Sequence, residues 1–376
     1  MPLAGHATLQ GTARYAQRFG AQAAGGHFRE RDSKWLSSLG IGTYLGEHDA
    51  TTDELYTRAV ARALELGVNV IDTAINYRFQ RSERSVGAAV RAQVAAGKVA
   101  RDEIVVATKG GFLTPDGDFP PDPNAYFRRE YLEKGVLTPE DVVGGMHCMS
   151  PRYLEDQLAR SQRNLELDTI DIYFVHNPET QLQAVPRVEF LRRLGMAFGK
   201  LESLVRAGAI RCYGVATWDG FRRPPRAGDY LSLEELVKLA EEVGGKEHRF
   251  KVVQLPFNLA MPEAYAFANQ KVGGEEVSFL EAARRLGITV LASASILQGQ
   301  VARDLPGKLR TALNPEGPGQ QLQTDAQRAI QFARSAPGVD VALVGMKRVE
   351  HVEENLKLRE VPPLSAERFG SFFSRA

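Results

Sequence analysis

The sequence predicts an α/β fold, a (β/α)8 TIM barrel with long loops over its C-terminal face, and three observations lead there. Eight short β-like apolar runs alternate with helix-length amphipathic segments along the 376 residues. Few of the runs alternate strictly between apolar and polar, which is how strands buried on both faces of a parallel sheet read. No glycine-rich G-x-G-x-x-G turn follows the first run, so the runner-up, an open doubly wound sheet, lacks its usual signature.

Taken in order, the runs fall at residues 39–42, 68–71, 104–107, 170–175, 210–215, 252–255, 288–292 and 341–344. The helices between them have recognisable ends. Thr51 with Glu54, and Ser232 with Glu235, have capping-box spacing, in which two side chains satisfy free backbone donors. Ser150 before Pro151 reads as an N-cap followed by a first-turn proline, and Leu154, Leu158 and Leu165 then share one face. Gly67 and Gly208 are placed to end the helices before the second and fifth runs.

Three stretches break the repeat. Residues 1–34, rich in Gly, Ala and Arg, read as an N-terminal arm and a hairpin closing the barrel bottom; residues 35–376 form the barrel. Residues 112–149 hold clustered prolines and aromatics, such as Phe-Pro-Pro-Asp-Pro at 119–123. Residues 296–323 carry Pro306, Pro315 and Pro318. Both of these follow a strand, so both are expected over the C-terminal mouth, as substrate cover or as plain surface loops.

Composition narrows the partners. Hydrophobic residues make up 43%, enough for a substantial core, and 47 Lys plus Arg nearly cancel 46 Asp plus Glu. No global basic field marks nucleic acid or an anionic membrane as the main partner. Two cysteines, Cys148 and Cys212, make no disulfide framework and suit a reducing compartment. The N-terminus lacks a secretory-type apolar stretch and no run is long enough to span a bilayer, so a cytoplasmic location is expected. His147 and Cys148 are adjacent, but nothing near them has zinc-ligand spacing, and no metal is expected.

Four residues at the ends of three consecutive runs carry the chemistry. Asp72 and Tyr77 lie in Ile-Asp-Thr-Ala-Ile-Asn-Tyr at 71–77; Lys109 ends Val-Val-Ala-Thr-Lys at 105–109; His176 ends Asp-Ile-Tyr-Phe-Val-His at 171–176. Singly, each has a bland reading as cap, packing, solvated charge or core histidine. Together they match one mechanism. Reducing a carbonyl by hydride transfer builds negative charge on oxygen, which needs a proton donor. Tyrosine, with a pKa of about 10, is a reluctant one, and a nearby ammonium favours its phenolate. Lys109 is expected to do this, held charged and aimed by Asp72, while His176 orients the substrate oxygen beside Tyr77.

With these residues in view, the chain resembles the aldo/keto reductase family, from about Trp35 to Leu356. The resemblance implies a nicotinamide cofactor, NADPH in preference to NADH. It places that cofactor against Gly42, Thr43 and Tyr44 after the first run, with Asp72, and it matches Gln254 to the glutamine that holds the carboxamide. Ser293, Ala294, Ile296 and Gln298 follow the seventh run, and Gly345, Lys347, Arg348, His351, Glu354 and Asn355 fall where the family surrounds the adenosine 2′-phosphate and adenine.

Several positions depart from the family pattern. Where Ser-Asn is common, the chain reads Ala216, Thr217, Trp218; Thr217 offers the carboxamide one group rather than two. Ser293 stands where a ring usually stacks on nicotinamide, and Ser295 replaces the following proline. His351 takes the place of an arginine often paired with the 2′-phosphate, leaving Lys347 and Arg348 to supply charge. Tyr44, Phe112 and Trp218 follow strands and are candidates for a substrate wall. The leading expectation is an oxidoreductase that moves hydride between NADPH and an aldehyde or ketone. The alternatives are a lyase or isomerase using the nicotinamide transiently, and a nucleotide-sensing regulatory subunit with slow turnover.

Overall fold

The computed structural model describes residues 1–315 and 321–374. Its centre is a closed barrel of eight parallel strands. We label them β1 (Leu39–Gly42), β2 (Val70–Asp72), β3 (Val105–Gly110), β4 (Ile170–His176), β5 (Ile210–Ala216), β6 (Phe250–Pro256), β7 (Thr289–Ser293) and β8 (Val341–Gly345). Each pairs with its neighbours in sequence, and β8 closes on β1. A helix follows each strand: α1 (Ala50–Glu65), α2 (Arg81–Ala95), α3 (Pro151–Leu165), α4 (Arg187–Arg206), α5 (Leu233–Gly244), α6 (Phe279–Arg285), α7 (Asp325–Ser335) and α8 (Val349–Asn355).

Two apolar layers explain why the strands look apolar throughout. Val70, Val105, Ala107, Ile172, Phe174, Cys212, Val252, Leu291, Val341 and Leu343 fill the barrel interior. Their strand neighbours, including Ile41, Ile71, Val106, Tyr173 and Val253, point outward against the helices. Ala7 and Leu36 join the inner cluster from the N-terminal segment, so they plug the barrel bottom. That segment contains a helix, Leu9–Arg18, and a hairpin pairing Phe28–Arg31 with Lys34–Ser37, whose second strand runs past residue 34.

Most helix ends fall where their capping residues predict. Ser232 accepts the Glu235 N–H, Ser150 precedes Pro151, and Gly67 and Gly208 end their helices at φ +92° and +75°. The start of α1 differs from expectation. Asp49 is its N-cap, accepting the Thr52 N–H at 2.7 Å, so Thr51 sits inside the first turn rather than at the cap. An aspartate two residues earlier caps as well as threonine does, and local spacing does not choose between them.

The stretch after β3 is more ordered than a loop. Asp122 caps a short helix, Pro123–Phe127, which continues as a wide turn over Arg128–Leu132. Tyr131, Leu137 and Cys148 pack with Tyr153 of α3 as a small separate core. Its two ends are pinned together: the Leu113 N–H donates to the Met146 carbonyl at 2.7 Å, and the Cys148 N–H to Gly111 at 2.8 Å. After β7, Pro306 precedes a helix over Gly307–Leu313. Pro318 lies outside the described residues.

Candidate active site

Parallel register brings the ends of the first strands together. Asp72, the last residue of β2, lies level with Gly42 of β1 and Ala107 of β3. Lys109 pairs with Phe174, two residues before His176. Inside this ring Lys109 is fully buried and Asp72 nearly so. The Lys109 Nζ donates to both carboxylate oxygens of Asp72 and to the Thr73 carbonyl, all at 2.8 Å. The three donors of the ammonium are therefore matched by three acceptors, which is what a buried charge requires.

Tyr77 lies over this pair. The Lys109 Nζ is 4.7 Å from its ring centroid, and the His176 ring meets it edge-on at 5.9 Å. Tyr44 packs against its other side at 4.9 Å, while 56% of the Tyr44 surface remains open. Phe112 touches His176 at 5.1 Å, nearly perpendicular. Asp72, Tyr77, Lys109 and His176 thus form one cluster, though they come from segments far apart in the chain.

The electrostatics differ from expectation at Tyr77. Burial first, and then the Asp72 carboxylate, push its hydroxyl well above the ordinary tyrosine pKa. The Lys109 ammonium, expected to lower it, is paired with both Asp72 oxygens at 2.8 Å. Burial also pulls Lys109 down, with Asp72 opposing. His176 is driven well below the usual histidine value by burial, then by Lys109 and His147. The result is a protonated phenol beside a neutral imidazole. Nδ1 of His176 is buried without a partner, so protonation at Nε2 leaves only a lone pair unpaired there. Such a pair can present two neutral hydrogen-bond donors to one oxygen.

A turn that the sequence does not announce supports Tyr77. Arg78, Phe79 and Gln80 are all left-handed, at φ +49°, +50° and +71°, a conformation that costs about 1–2 kcal/mol per residue outside glycine. Buried Arg78 offsets this by donating to the Glu47 carbonyl at 2.7 Å and to Asp53 Oδ1 at 2.5 Å. The stretch after β3 braces it too: Gly117 donates to the Phe79 carbonyl at 2.9 Å, and the Gln80 amide to Pro115 at 3.0 Å. Phe79 is held against His48 and Phe119. No glycine marks this turn, so it is not legible in the sequence.

The positions expected at the cofactor line the other side of the mouth. Thr217 is buried, its backbone N–H donates to the Gln254 carbonyl at 2.8 Å, and its hydroxyl has no partner. Gln254 donates its amide to Asp72 Oδ1 at 2.7 Å, tying this side to the ion pair. Thr43 donates its hydroxyl to the Asp72 carbonyl. Gly42 and Gly345 face each other across β1 and β8, and a side chain at Gly345 would meet nothing within 4 Å. Ser293 ends β7; Ala294 and Gln298 are left-handed, and the Asn258 amide steadies the Ala294 carbonyl at 3.0 Å. Ile296 packs against the core. Lys347 is half-buried beside Gly46, and Arg348 and His351 are exposed. Glu354 takes a hydrogen bond from Thr324 at 3.0 Å, and buried Asn355 has an unpartnered amide oxygen. Trp218 is 41% exposed. The orphaned hydroxyl of Thr217, the orphaned oxygen of Asn355 and the bare glycine pair fit a ligand reaching from the barrel axis to α8.

Sequence reasoning passes over His147 except as a metal ligand. Among the described residues no group of three His, Cys, Asp or Glu side chains could hold a metal. No described helix is long and apolar enough to cross a membrane. His147 is instead buried against the His176 backbone. A lone histidine 29 positions upstream of its partner leaves no trace in spacing.

Comparison with known proteins speaks to the fold and the family. The model of the Aldo/keto reductase family matches residues 38–304. The NADH-specific methylglyoxal reductase of Escherichia coli is 30% identical over 209 residues, covering 54% of this chain and 53% of that protein. A Bacillus subtilis protein described as an uncharacterized oxidoreductase is 22% identical over 346 residues, 88% of each chain. The first three curated relatives are matched over only about half their length, 46–53%. Among solved structures, the glycerol dehydrogenase of Gluconobacter oxydans superposes with a TM-score of 0.61 at 18% identity, covering 93% of this chain and 94% of that one. An aldo/keto reductase from Klebsiella pneumoniae, solved with NADP and acetate, gives 0.57 at 19%, covering 93% and 96%. With its eight-stranded parallel barrel and a family match over most of its length, this chain belongs to the aldo/keto reductase family.

Proposed function

We propose that this chain is an NADPH-dependent carbonyl reductase, with Tyr77 as general acid and Lys109, Asp72 and His176 as the residues that hold and polarise its site. The observation that carries the reading is the buried Lys109–Asp72 pair lying under the Tyr77 ring, with His176 at the ring's edge. The net reaction joins a carbonyl compound, a reduced nicotinamide and a proton to give an alcohol and the oxidised nicotinamide. The bound nicotinamide supplies the hydride; Gly42, Thr43, Tyr44, Asp72, Thr217, Gln254, Ser293, Ala294, Ile296, Gln298, Gly345, Lys347, Arg348, His351, Glu354 and Asn355 would hold that cofactor.

The chain's own residues handle the oxygen. A protonated Tyr77 hydroxyl and a neutral His176 N–H both donate to the carbonyl oxygen, stabilising charge as it develops there. Proton transfer from Tyr77 then completes the alcohol. In the free protein burial keeps Tyr77 fully protonated. That suits a donor, and the growing negative charge on the substrate oxygen draws the proton across. Lys109, pinned by three acceptors, provides a fixed positive field beneath the ring. Lys347 and Arg348 support NADPH over NADH, since they would supply positive charge near the adenosine phosphate where His351 stands in place of an arginine. NADH is the alternative, because one relative is an NADH-specific reductase. The partner is a small-molecule carbonyl or alcohol.

The test is steady oxidation of NADPH with a panel of small aldehydes, methylglyoxal included, for the parent chain and Tyr77→Phe. Loss of about 10²–10⁴-fold in turnover, with NADPH still bound, is expected. Tight NADPH binding without net oxidation would favour the lyase, isomerase or sensor readings instead. Failure to bind either nicotinamide would overturn the cofactor assignment.

A further inference from the structure

Behind His176 lies a buried hydrogen-bonded chain that the proposed chemistry leaves unused. His147 is fully buried, and its Nε2 lies 2.7 Å from the His176 carbonyl oxygen. On its other side, the Gln181 amide nitrogen lies 2.9 Å from His147 Nδ1. Arg193 of α4 reaches the Gln181 Oε1 at 2.9 Å. These contacts define each donor in turn. An arginine only donates, so Gln181 turns its oxygen to Arg193 and its NH2 to His147. Nδ1 must then accept, which puts the His147 proton on Nε2, aimed at His176. Burial holds this histidine neutral, at about 4, as the arrangement requires.

Packing adds a second restraint. The Phe112 ring lies perpendicular to both imidazoles, 5.1 Å from each. Phe112 and His147 are themselves paired as an antiparallel bridge, where the segment after β3 leaves the barrel and returns. Gly111 permits this approach. At φ +153° a side chain there would stand 2.8 Å from the His176 carbonyl and 3.1 Å from His147 Nε2. Tyr153 of α3 ties down the Phe112 carbonyl at 2.8 Å. The base of the segment is thus built around His176 rather than swinging over it.

We propose that His147 is a positioning residue for the reaction: with Phe112, and backed by Gln181 and Arg193, it sets the height and tilt of the His176 ring against Tyr77. The segment at residues 111–149 then belongs to the active site through its two ends, whatever its outer part covers. This inference rests on the carbonyl-reductase reading. It adds that the His176 ring is set by a residue 29 positions upstream, since among the described residues no hydrogen bond holds its Nδ1.

The test uses the full chain, NADPH and whichever small aldehyde the parent reduces fastest. His147→Phe keeps a ring but removes both hydrogen bonds; His147→Gln can still donate to His176 and accept from Gln181. A misplacement of a reacting group by about an ångström costs on the order of 100-fold. His147→Phe should therefore lower kcat roughly 10- to 100-fold, with NADPH affinity within about twofold of the parent. His147→Gln should recover most of that loss. Arg193→Met, at a partly exposed position, should lower kcat about 2- to 5-fold and guards against a His147 variant that does not fold. Long-range ¹H–¹⁵N spectra should show the His176 imidazole shifted in His147→Phe. A kcat within twofold of the parent in His147→Phe, or no recovery in His147→Gln, overturns the proposal. So does a loss of NADPH affinity as large as the loss in kcat. Tyr77→Phe, run alongside, separates the two ideas. If it retains full turnover, the assignment of Tyr77 as general acid fails, while the His176 spectra still decide whether His147 sets its ring.

Discussion

The two sides of the barrel mouth are built differently. On the side of β2, β3 and β4 the charges are buried and fully partnered, with three acceptors around the Lys109 ammonium and the Gln254 amide on Asp72. On the side of β5, β8 and α8 the polar atoms are left over: the Thr217 hydroxyl and the Asn355 oxygen have no partner, and Arg348 and His351 stand exposed. A buried charge has to be compensated within the fold, because the alternative is a desolvation cost of several kcal/mol. A single hydroxyl or amide oxygen left unpaired costs only about 1–3 kcal/mol, which a ligand can return on binding. The Lys109–Asp72 pair is therefore compensated by the protein alone, whereas uncharged leftovers occur on both sides: His176 Nδ1, the Thr73 hydroxyl and the Asn76 oxygen on the first, the Thr217 hydroxyl and the Asn355 oxygen on the second.

Lys109→Met tests the first half of that contrast most severely. It leaves the Asp72 carboxylate buried without its cation, and should cost about 3–5 kcal/mol of stability, measured by urea denaturation. A loss under about 1 kcal/mol would mean that the pair is not a self-sufficient unit.

Acid unfolding provides a second test of burial. Burial holds His147 at about 4 and His27 at about 3, below the ordinary 6.5. Between pH 6.5 and 4 the unfolded chain binds a proton at each of these positions that the folded chain does not. Stability should then be full above pH 6.5 and fall as pH drops, by about 1.4 kcal/mol per pH unit for each histidine. Replacing His147 with glutamine should remove one such contribution between pH 6.5 and 4. An unchanged acid slope would show that this imidazole is not buried neutral.

Thr217→Val probes the open side, and its effect is the smallest. Removing an unpaired buried hydroxyl should leave stability unchanged or raise it by up to about 1 kcal/mol. NADPH affinity, followed by fluorescence titration, should weaken by up to about tenfold, the worth of one hydrogen bond. A large loss of stability instead would mean that the hydroxyl serves the fold and not a ligand.

Much of the barrel is legible in the sequence. The eight apolar runs become eight barrel strands, because a strand covered on both faces needs apolar residues at every position. Asp72, Tyr77, Lys109 and His176 are legible as a set, because barrel topology delivers consecutive strand ends to one face. The cap of α1 is misplaced by local spacing, because Asp49 and Thr51 satisfy the same rule. The left-handed turn at Arg78, Phe79 and Gln80 escapes notice, because its support comes from Glu47, Asp53 and Pro115. Those contacts are long-range, and spacing does not encode them.

The sequence by itself determined the barrel, the order of its strands and the identity of the four clustered side chains, since periodicity and strand-end position are local properties. Only the tertiary structure decided their electrical state. Tyr77 is pushed up, not down, because burial and the Asp72 carboxylate both raise it. It also decided what stands behind His176. Desolvation and hydrogen-bond partners depend on which distant residues close around a group, and that is settled only when the chain has folded.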